Sequence, residues 1–439
     1  MTNLLKPNHK LQSQLSGECI VQNFLGSGGQ GEVYQVDVAG HLMAVKWYFA
    51  HQATLEQRGI IETLIKKGRP NDKFLWPVDI VSDPDSHSFG YLMPLRDEHF
   101  KGIVDLMGSK VDPSFRVLTT LGFELADSFL KLHAGGLCYR DISFGNIFFE
   151  SENGNVLICD NDNVTLDGAG TGGVYGTPRF MAPEIVKMEA PPNTQTDLFS
   201  LAVLMFYIFC IHHPLEGKKE YQIHCLDAPA MTKLYGTEPV FIFDPQNDSN
   251  RPVFGIHDTV LAFWKVYPES LRKLFTKAFT LGIIDAKNGR VRESEWRAIM
   301  VQLRDSIFYC SKCGFENFYD AEVIKASSGK SSICWKCQSQ LQLPMRIRIA
   351  KNIVMLNHNT KLFPHHIDDQ RTFDFVLPVA EVSQHPQKPD VWGLKNVSDT
   401  RWSMTLSDGT IKDVDPQRTA PLAIGVRINF GKFEGEIRI

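Results

Sequence analysis

The run GSGGQGEVY sets Gly26, Gly28 and Gly31 in a GxGxxGxV pattern that Val33 completes. Lacking a Cβ, glycine lets backbone N–H groups approach an anion closely, so the spacing suits a loop covering phosphates, although any tight hairpin can use three glycines. MAVKW follows and sets Lys46 among apolar Ala44, Val45 and Trp47. A strand lysine usually faces solvent. Here the functional reading is an ammonium that grips a nucleotide's phosphates and is held by a carboxylate from the next helix. Glu62 is the first candidate for that carboxylate and Glu56 the second; the plain alternative is that Glu62 only solvates an amphipathic helix.

A second cluster is built from thiols. Cys310, Cys313, Cys334 and Cys337 form two CxxC pairs with twenty residues between them. Each CxxC wraps a turn that aims two thiolates at one ion, and two such turns close a tetrahedral zinc site with no open position, which makes the metal structural. Redox chemistry would instead need one pair beside a βαβ unit. Phe315, Phe318, Tyr319 and Trp335 are expected to pack around this small ribbon. The other cysteines, Cys19, Cys138, Cys159, Cys210 and Cys225, are scattered like small core hydrophobes, and nine in all suits a reducing cytoplasm better than a disulfide framework.

The elements that must position these groups are legible in outline. Glycine-bearing turns separate short strands over 20–25, 32–38 and 42–48. A helical spacing of Leu55, Ile60, Ile61, Leu64 and Ile65 covers 55–67. From Ser114 a helix with Leu118, Leu121, Leu125 and Leu132 on one face runs to Gly135-Gly136. Short β segments follow at 146–149 and 156–159, then a glycine-rich loop over 167–176. Beyond Pro183 the chain reads as helical through Met300, interrupted by loops over 214–255. Past Leu303 come the cysteine pairs and then alternating β segments such as 345–349 and 426–430. With 43% hydrophobic and 22% charged residues the chain can bury a sizeable core, and a net charge of -4 gives no excess positive charge for nucleic acid or an anionic membrane. MTNLLKPNHKLQSQ has no apolar run of signal-peptide length, and the apolar stretch 198–211 is too short to span a bilayer.

CYRDISFGNIFF sets Asp141 and Asn146 five positions apart between a helix and a strand, VLICDNDNV carries Asp160 downstream, and GTPRFMAPE ends in Ala182, Pro183 and Glu184. With the glycine loop and Lys46 in the same order, the chain resembles the serine/threonine protein kinases over about two-thirds of its length. The resemblance implies a bilobal α+β fold, a β lobe with one helix followed by a mainly α lobe, and ATP with magnesium or manganese. Asp141 then orients or deprotonates the attacking hydroxyl, and Asn146 and Asp160 hold the metal ion. Gly26, Ser27, Gly28, Gly31, Val33, Ala44, Lys46, Glu62 and Met93 join Asn146 and Asp160 in binding nucleotide, with Lys46, Asp141 and Asn146 the catalytic set. Arg140 can pair with a phosphorylated activation segment, in which Thr165, Thr171 and Thr177 are available. Glu184 is expected to pair with Arg290, and Asp197 to tie down the catalytic loop's backbone.

Three departures bear on activity. Tyrosine replaces the usual histidine of the catalytic loop. Ser143 stands where a lysine commonly touches the transferred phosphate, which leaves open a pseudokinase acting as an ATP-binding scaffold, or a small-molecule kinase, against which the APE segment argues. Asn161 and Asp162 replace the phenylalanine and glycine after the metal aspartate, and Asp162 is a candidate second carboxylate near the metal.

The expected segments are a kinase domain over 15–305, a zinc ribbon over 306–341 and a small β-sandwich over 342–439. In the last, WGLKNVSDTRWSMTLSDGT and LAIGVRINFG resemble the end of forkhead-associated domains, without their phosphothreonine-gripping arginine and serine. The combined architecture resembles bacterial kinases of tellurite-resistance operons. That likeness implies protein substrates, a metal-dependent protein phosphatase and a von Willebrand A-type protein as partners, and phosphopeptide binding by the tail.

Overall fold

Apolar side chains on one face of each amino-terminal strand let these strands close into a barrel around a shared core. In the computed structural model, which describes residues 4–168, 175–326 and 333–439, strands β1 (Lys10–Ser13), β2 (Glu18–Ser27), β3 (Gly31–Val38), β4 (His41–Tyr48), β5 (Asp79–Ser82) and β6 (Phe89–Pro94) pair in the order β1-β2-β3-β4-β6-β5. Leu11, Val21, Tyr34, Val36, Val45, Trp47, Val81 and Leu92 point inward and form one apolar cluster. Because side chains alternate faces along a strand, their neighbours point out of the barrel. The register Val33↔Lys46↔Tyr91 and Ala44↔Met93 puts those five side chains together on that outer face. The glycine-bearing turn joins β2 to β3, whose pairing carries two irregularities before Gly26.

Helix α1 (Leu55–Lys67) starts at Thr54, whose side chain accepts the Gln57 N–H, and stops at Gly68, which takes the left-handed φ of 79°. Ile61 and Leu64 are its buried residues, and the Leu64 carbonyl accepts the Trp76 indole N–H at 2.9 Å.

The chain divides into two compact units, one comprising 1–113, 120–261 and 274–297, the other 114–119, 262–273 and 298–439. The first contains the barrel and a helical part built around the helix Thr194–Cys210. Every residue from Thr196 to Cys210 in that helix is buried, as an element apolar on all sides requires. Its Phe206 meets Phe241, Phe275 and Phe279 edge to face at 5.0–5.9 Å. A short hairpin, Ile147–Phe149 with Val156–Ile158, carries the segments that flank Asn146 and Asp160.

In the second unit the hairpin Ile307–Tyr309 with Glu316–Phe318 frames the first cysteine pair. The remaining strands form two antiparallel sheets. One has six strands in the order Asn352–Met355, Arg346–Ile349, Glu434–Arg438, Arg427–Asn429, Trp402–Thr405, Ile411–Val414; the other has four, Lys361–Leu362, Ala380–His385, Lys388–Asn396, Thr419–Pro421. Ile347, Ile349, Leu362, Leu394, Trp402, Ile428 and Ile437 from both sheets share one apolar cluster. Among the described residues, no helix is long and apolar enough to cross a membrane.

Truncating Phe206 to alanine removes a fully enclosed ring from the helical core. It is expected to lower the unfolding free energy by about 3–5 kcal/mol in a denaturant titration. A loss below about 1 kcal/mol would mean that the core collapses onto the space.

Candidate active site

Lys46 leaves the outer face of β4 with a side chain only 5% exposed. A buried ammonium needs anionic partners, and it has two. Its Nζ lies 2.9 Å from each carboxylate oxygen of Asp162 and 3.6 Å from Asp160 Oδ1. Gln30, from the glycine-bearing turn, accepts a third contact at 2.9 Å. Burial alone would push the lysine's pKa down, but Asp162 and Asp160 overcome it and hold it above its ordinary value.

Asp162 is more enclosed still, its side chain showing 0% exposure. The Tyr48 hydroxyl donates to its Oδ2 at 2.6 Å and the Tyr91 hydroxyl to its Oδ1 at 3.1 Å. Burial first, and the Asp162 charge second, raise both phenols well above their usual range and keep them protonated donors. Gln57 of α1 closes the group, its amide reaching Tyr48 Oη at 3.0 Å and the Asp162 carbonyl at 3.3 Å.

This arrangement corrects the expectation that Glu62 holds Lys46. Glu62 is half exposed and pairs with Arg58 at 3.1 Å, one helical turn away on the outer side of α1. The helix presents Gln57 and buried Ile61 inward, so no α1 carboxylate, Glu56 included, is paired with Lys46. Asp162 is likewise not a spare carboxylate for a metal, because both its oxygens are already engaged. Alternation from Lys46 to Tyr48 was available as a signal for the tyrosine. Nothing in an Asx-rich turn distinguishes the enclosed Asp162 from Asp160, whose side chain is 43% exposed.

Asp141, Asn146 and their neighbours form a second hydrogen-bonded group. Asn146 donates from Nδ2 to the Asp141 carbonyl at 2.8 Å and to its Oδ2 at 3.2 Å. The Thr177 hydroxyl donates to Asp141 Oδ1 at 2.6 Å. Asp197 accepts the backbone N–H groups of Tyr139 at 2.5 Å and Arg140 at 2.9 Å, while Arg290 Nη2 bonds both Glu184 oxygens at 2.9 and 2.8 Å. Tyr139, in the usual histidine position, is buried against Phe129 and donates its hydroxyl to the Cys159 carbonyl. Asn161 donates from Nδ2 to the carbonyls of Leu75 and Ile158, both at 2.9 Å. The side chain that replaces phenylalanine is therefore anchored to backbone. Arg140 donates to the Asn163 carbonyl at 2.6 Å; Thr171 lies outside the described residues.

Two of these residues, Arg140 and Asp160, adopt left-handed φ values of 74° and 47°. Each costs about 1–2 kcal/mol, a strain that concentrates where side chains must be aimed. The glycines of the loop differ in role. A Cβ at Gly31 would lie 2.2 Å from the Trp47 carbonyl oxygen, so packing alone demands glycine, whereas Gly26 and Gly28 face open space. Ser27 pairs with Glu32 where β2 meets β3.

The cysteine group is also assembled. Cys310, Cys313, Cys334 and Cys337 present sulfurs all within 4.8 Å of one another, with the pairs Cys310–Cys337 and Cys313–Cys334 at 3.7 Å. Four thiolates at ~2.3 Å from one tetrahedral ion stand ~3.8 Å apart, so the spacing fits zinc.

A family model for the protein kinase domain matches residues 20–279. The serine/threonine-protein kinase pkn2 of Myxococcus xanthus is 29% identical over 217 residues, covering 46% of this chain and 25% of that protein. The cell cycle serine/threonine-protein kinase CDC5/MSD2 of Saccharomyces cerevisiae is 24% identical over 204 residues, 45% of this chain and 28% of that protein. Ribosomal protein S6 kinase alpha-4 of Mus musculus is 31% identical over 107 residues, 23% and 14% respectively. The chain therefore spans well under a third of the length of these curated relatives.

His133, which spacing did not single out, ties the helical core to the loop. Its side chain is 9% exposed, and its ring nitrogens meet Asp197 at 3.1 Å and Glu293. Burial would depress its pKa, but the two carboxylates overcome that and hold it at about 9, above the ordinary 6.5. A folded value above the unfolded one means that the charged ring's contribution is complete below pH 6.5 and is lost as pH rises through about 9. Urea unfolding across that window should show a decline in stability that His133→Gln lacks. Parallel profiles for the two proteins would contradict the assignment.

Proposed function

The chain belongs to the protein kinase family, and on that premise we propose that it transfers the γ-phosphoryl group of ATP to serine and threonine hydroxyls of protein substrates. The observation that carries this reading is the approach of Lys46 to Asp160, 3.6 Å apart, beside the hydrogen-bonded group of Asp141, Asn146 and Thr177. Lys46 grips the α- and β-phosphates. The turn with Gly26, Ser27, Gly28 and Gly31 covers the phosphates, while Val33, Ala44 and Met93 line the outer barrel face against the base.

The Asp160 carboxylate and the Asn146 amide oxygen are hard donors that suit magnesium. When bound there, the ion neutralises charge on the phosphates. Asn146 and Thr177 fix the plane of the Asp141 carboxylate, which orients the substrate hydroxyl and receives its proton as the oxygen bonds to the γ-phosphorus and the bond to ADP breaks. Serine/threonine specificity is supported by the names of the relatives.

Ser143, buried and uncharged, favours a second reading, an ATP-binding scaffold with weak or no transfer, because a positive charge usual at that position is missing. The four cysteines would hold a structural zinc within the 306–341 ribbon. The 342–439 segment is proposed as a forkhead-like docking module, with phosphopeptides as ligands. The architectural resemblance supports a metal-dependent phosphatase and a von Willebrand A-type protein as partners, in a cytoplasmic stress-signalling system.

Labelled ATP, magnesium and a generic protein substrate distinguish the two readings. Wild type is expected to transfer label and Asp141→Asn to lose at least about 100-fold in rate while still binding nucleotide. Nucleotide binding without transfer by wild type would favour the scaffold. Elemental analysis of purified protein should find about one zinc per chain, lost in a Cys313→Ser/Cys337→Ser variant. Absence of zinc from the wild type would remove the ribbon assignment.

A further inference from the structure

We propose that Asp162, not a carboxylate of helix α1, is the residue that positions Lys46 for the phosphates, and that Tyr48 and Tyr91 hold Asp162 in place. This inference rests on the kinase reading for the role of Lys46, but the device itself follows from sheet geometry. Tyr48 stands two residues after Lys46 on β4, and Tyr91 lies directly across from Lys46 on β6. Alternation and register together oblige these three side chains to share one face. Two hydroxyls and one ammonium thus converge from two strands on a single carboxylate.

The carboxylate comes from the turn that also carries Asp160. Both Asp162 oxygens are within 2.9 Å of Lys46 Nζ, and each also accepts a tyrosine hydroxyl. Glycine at this position would have left Lys46 buried with only the 3.6 Å contact to Asp160 and the neutral Gln30. Glu62, meanwhile, is turned outward to Arg58. Lysine placement is therefore built into the barrel wall and the Asp160 turn. Helix α1 contributes the neutral amide of Gln57, which touches Tyr48 and the Asp162 backbone rather than Lys46.

A helix that supplies the lysine's counter-ion can switch the site off by swinging away, because it takes the charge with it. Here α1 carries no such charge, so its displacement would leave the Lys46–Asp162 pair intact. The Asp160 turn becomes the element whose order sets both the phosphate grip and the metal ligand. Asn161, bonded to two backbone carbonyls, pins that turn between the two aspartates.

A double-mutant cycle on Lys46→Met and Asp162→Asn tests the proposal, read both as Mg-ATP affinity by titration calorimetry and as kcat/KM for labelled transfer. Asp162→Asn alone is expected to weaken each by about 10–100-fold, with Tyr48→Phe and Tyr91→Phe giving smaller losses in the same direction. The double variant should be no worse than Lys46→Met, since Asp162 acts through that lysine. Glu62→Gln, on the exposed side of α1, should stay within about twofold of wild type. Multiplying losses in the double variant, or a Glu62→Gln loss as large as that of Asp162→Asn, would overturn the proposal. If Asp162→Asn fails to fold, the same cycle with Tyr48→Phe decides the matter, with thermal unfolding run alongside. Absent transfer by wild type would defeat the kinase reading only, because the affinity cycle still reports on the lysine.

Discussion

A lysine ammonium buried in the wall of a β-barrel is unstable unless a carboxylate joins it, since desolvation of an unpaired ion costs several kcal/mol even after local relaxation. The Lys46–Asp162 pair answers that demand, and much of the site's layout follows from it. Because Asp162 must reach the barrel, the turn that carries it is drawn against β4 and β6, and Asp160 is brought within 3.6 Å of the same lysine. Because Asp162 has oxygen positions left over, the buried Tyr48 and Tyr91 satisfy them with their hydroxyls. The same contacts that offset a buried charge also bring the barrel's lysine and the helical part's aspartate to one place.

The loop that carries Asp141 is held by a different means. Its backbone N–H groups at Tyr139 and Arg140 are bonded to Asp197, which is anchored in a helix with no exposed face. Left-handed geometry at Arg140 and Asp160 is affordable only in such surroundings, where each strained residue is over-determined by its neighbours. His133 adds charge to the anchor and shares Asp197 with the loop. Rigid support and strained turns thus occur together, as expected where side chains must be aimed within fractions of an ångström.

Much of this was legible in the residues alone. Glycine spacing, a lysine two strands on, and Asp141 and Asn146 between a helix and a strand all depend on local order, which sequence records directly. Glu184 with Arg290, and Asp197 with the loop backbone, were also anticipated and are present. The lysine's counter-ion is not legible from local spacing, for a physical reason. Helical periodicity says which residues of α1 share a face, but not which face meets a side chain on another strand, and Glu62 lies on the wrong one. Asp162 sits in a turn rich in Asx residues, where carboxylates usually serve the local backbone. Only the cross-strand register that places Tyr91 opposite Lys46 gives it a buried destination. His133 and Glu293, far apart in the chain, meet through helix packing that no spacing rule encodes.

The proposed phosphoryl transfer requires that Lys46, held by Asp162, and Asp160 serve one nucleotide. A crystal structure with magnesium and a non-hydrolysable ATP analogue tests it most directly. Lys46 Nζ should lie about 3 Å from an α- or β-phosphate oxygen while still bonded to Asp162, with the metal on Asp160 and Asn146. A nucleotide bound elsewhere, or a Lys46 that abandons Asp162 for Glu62 when the nucleotide arrives, would contradict it.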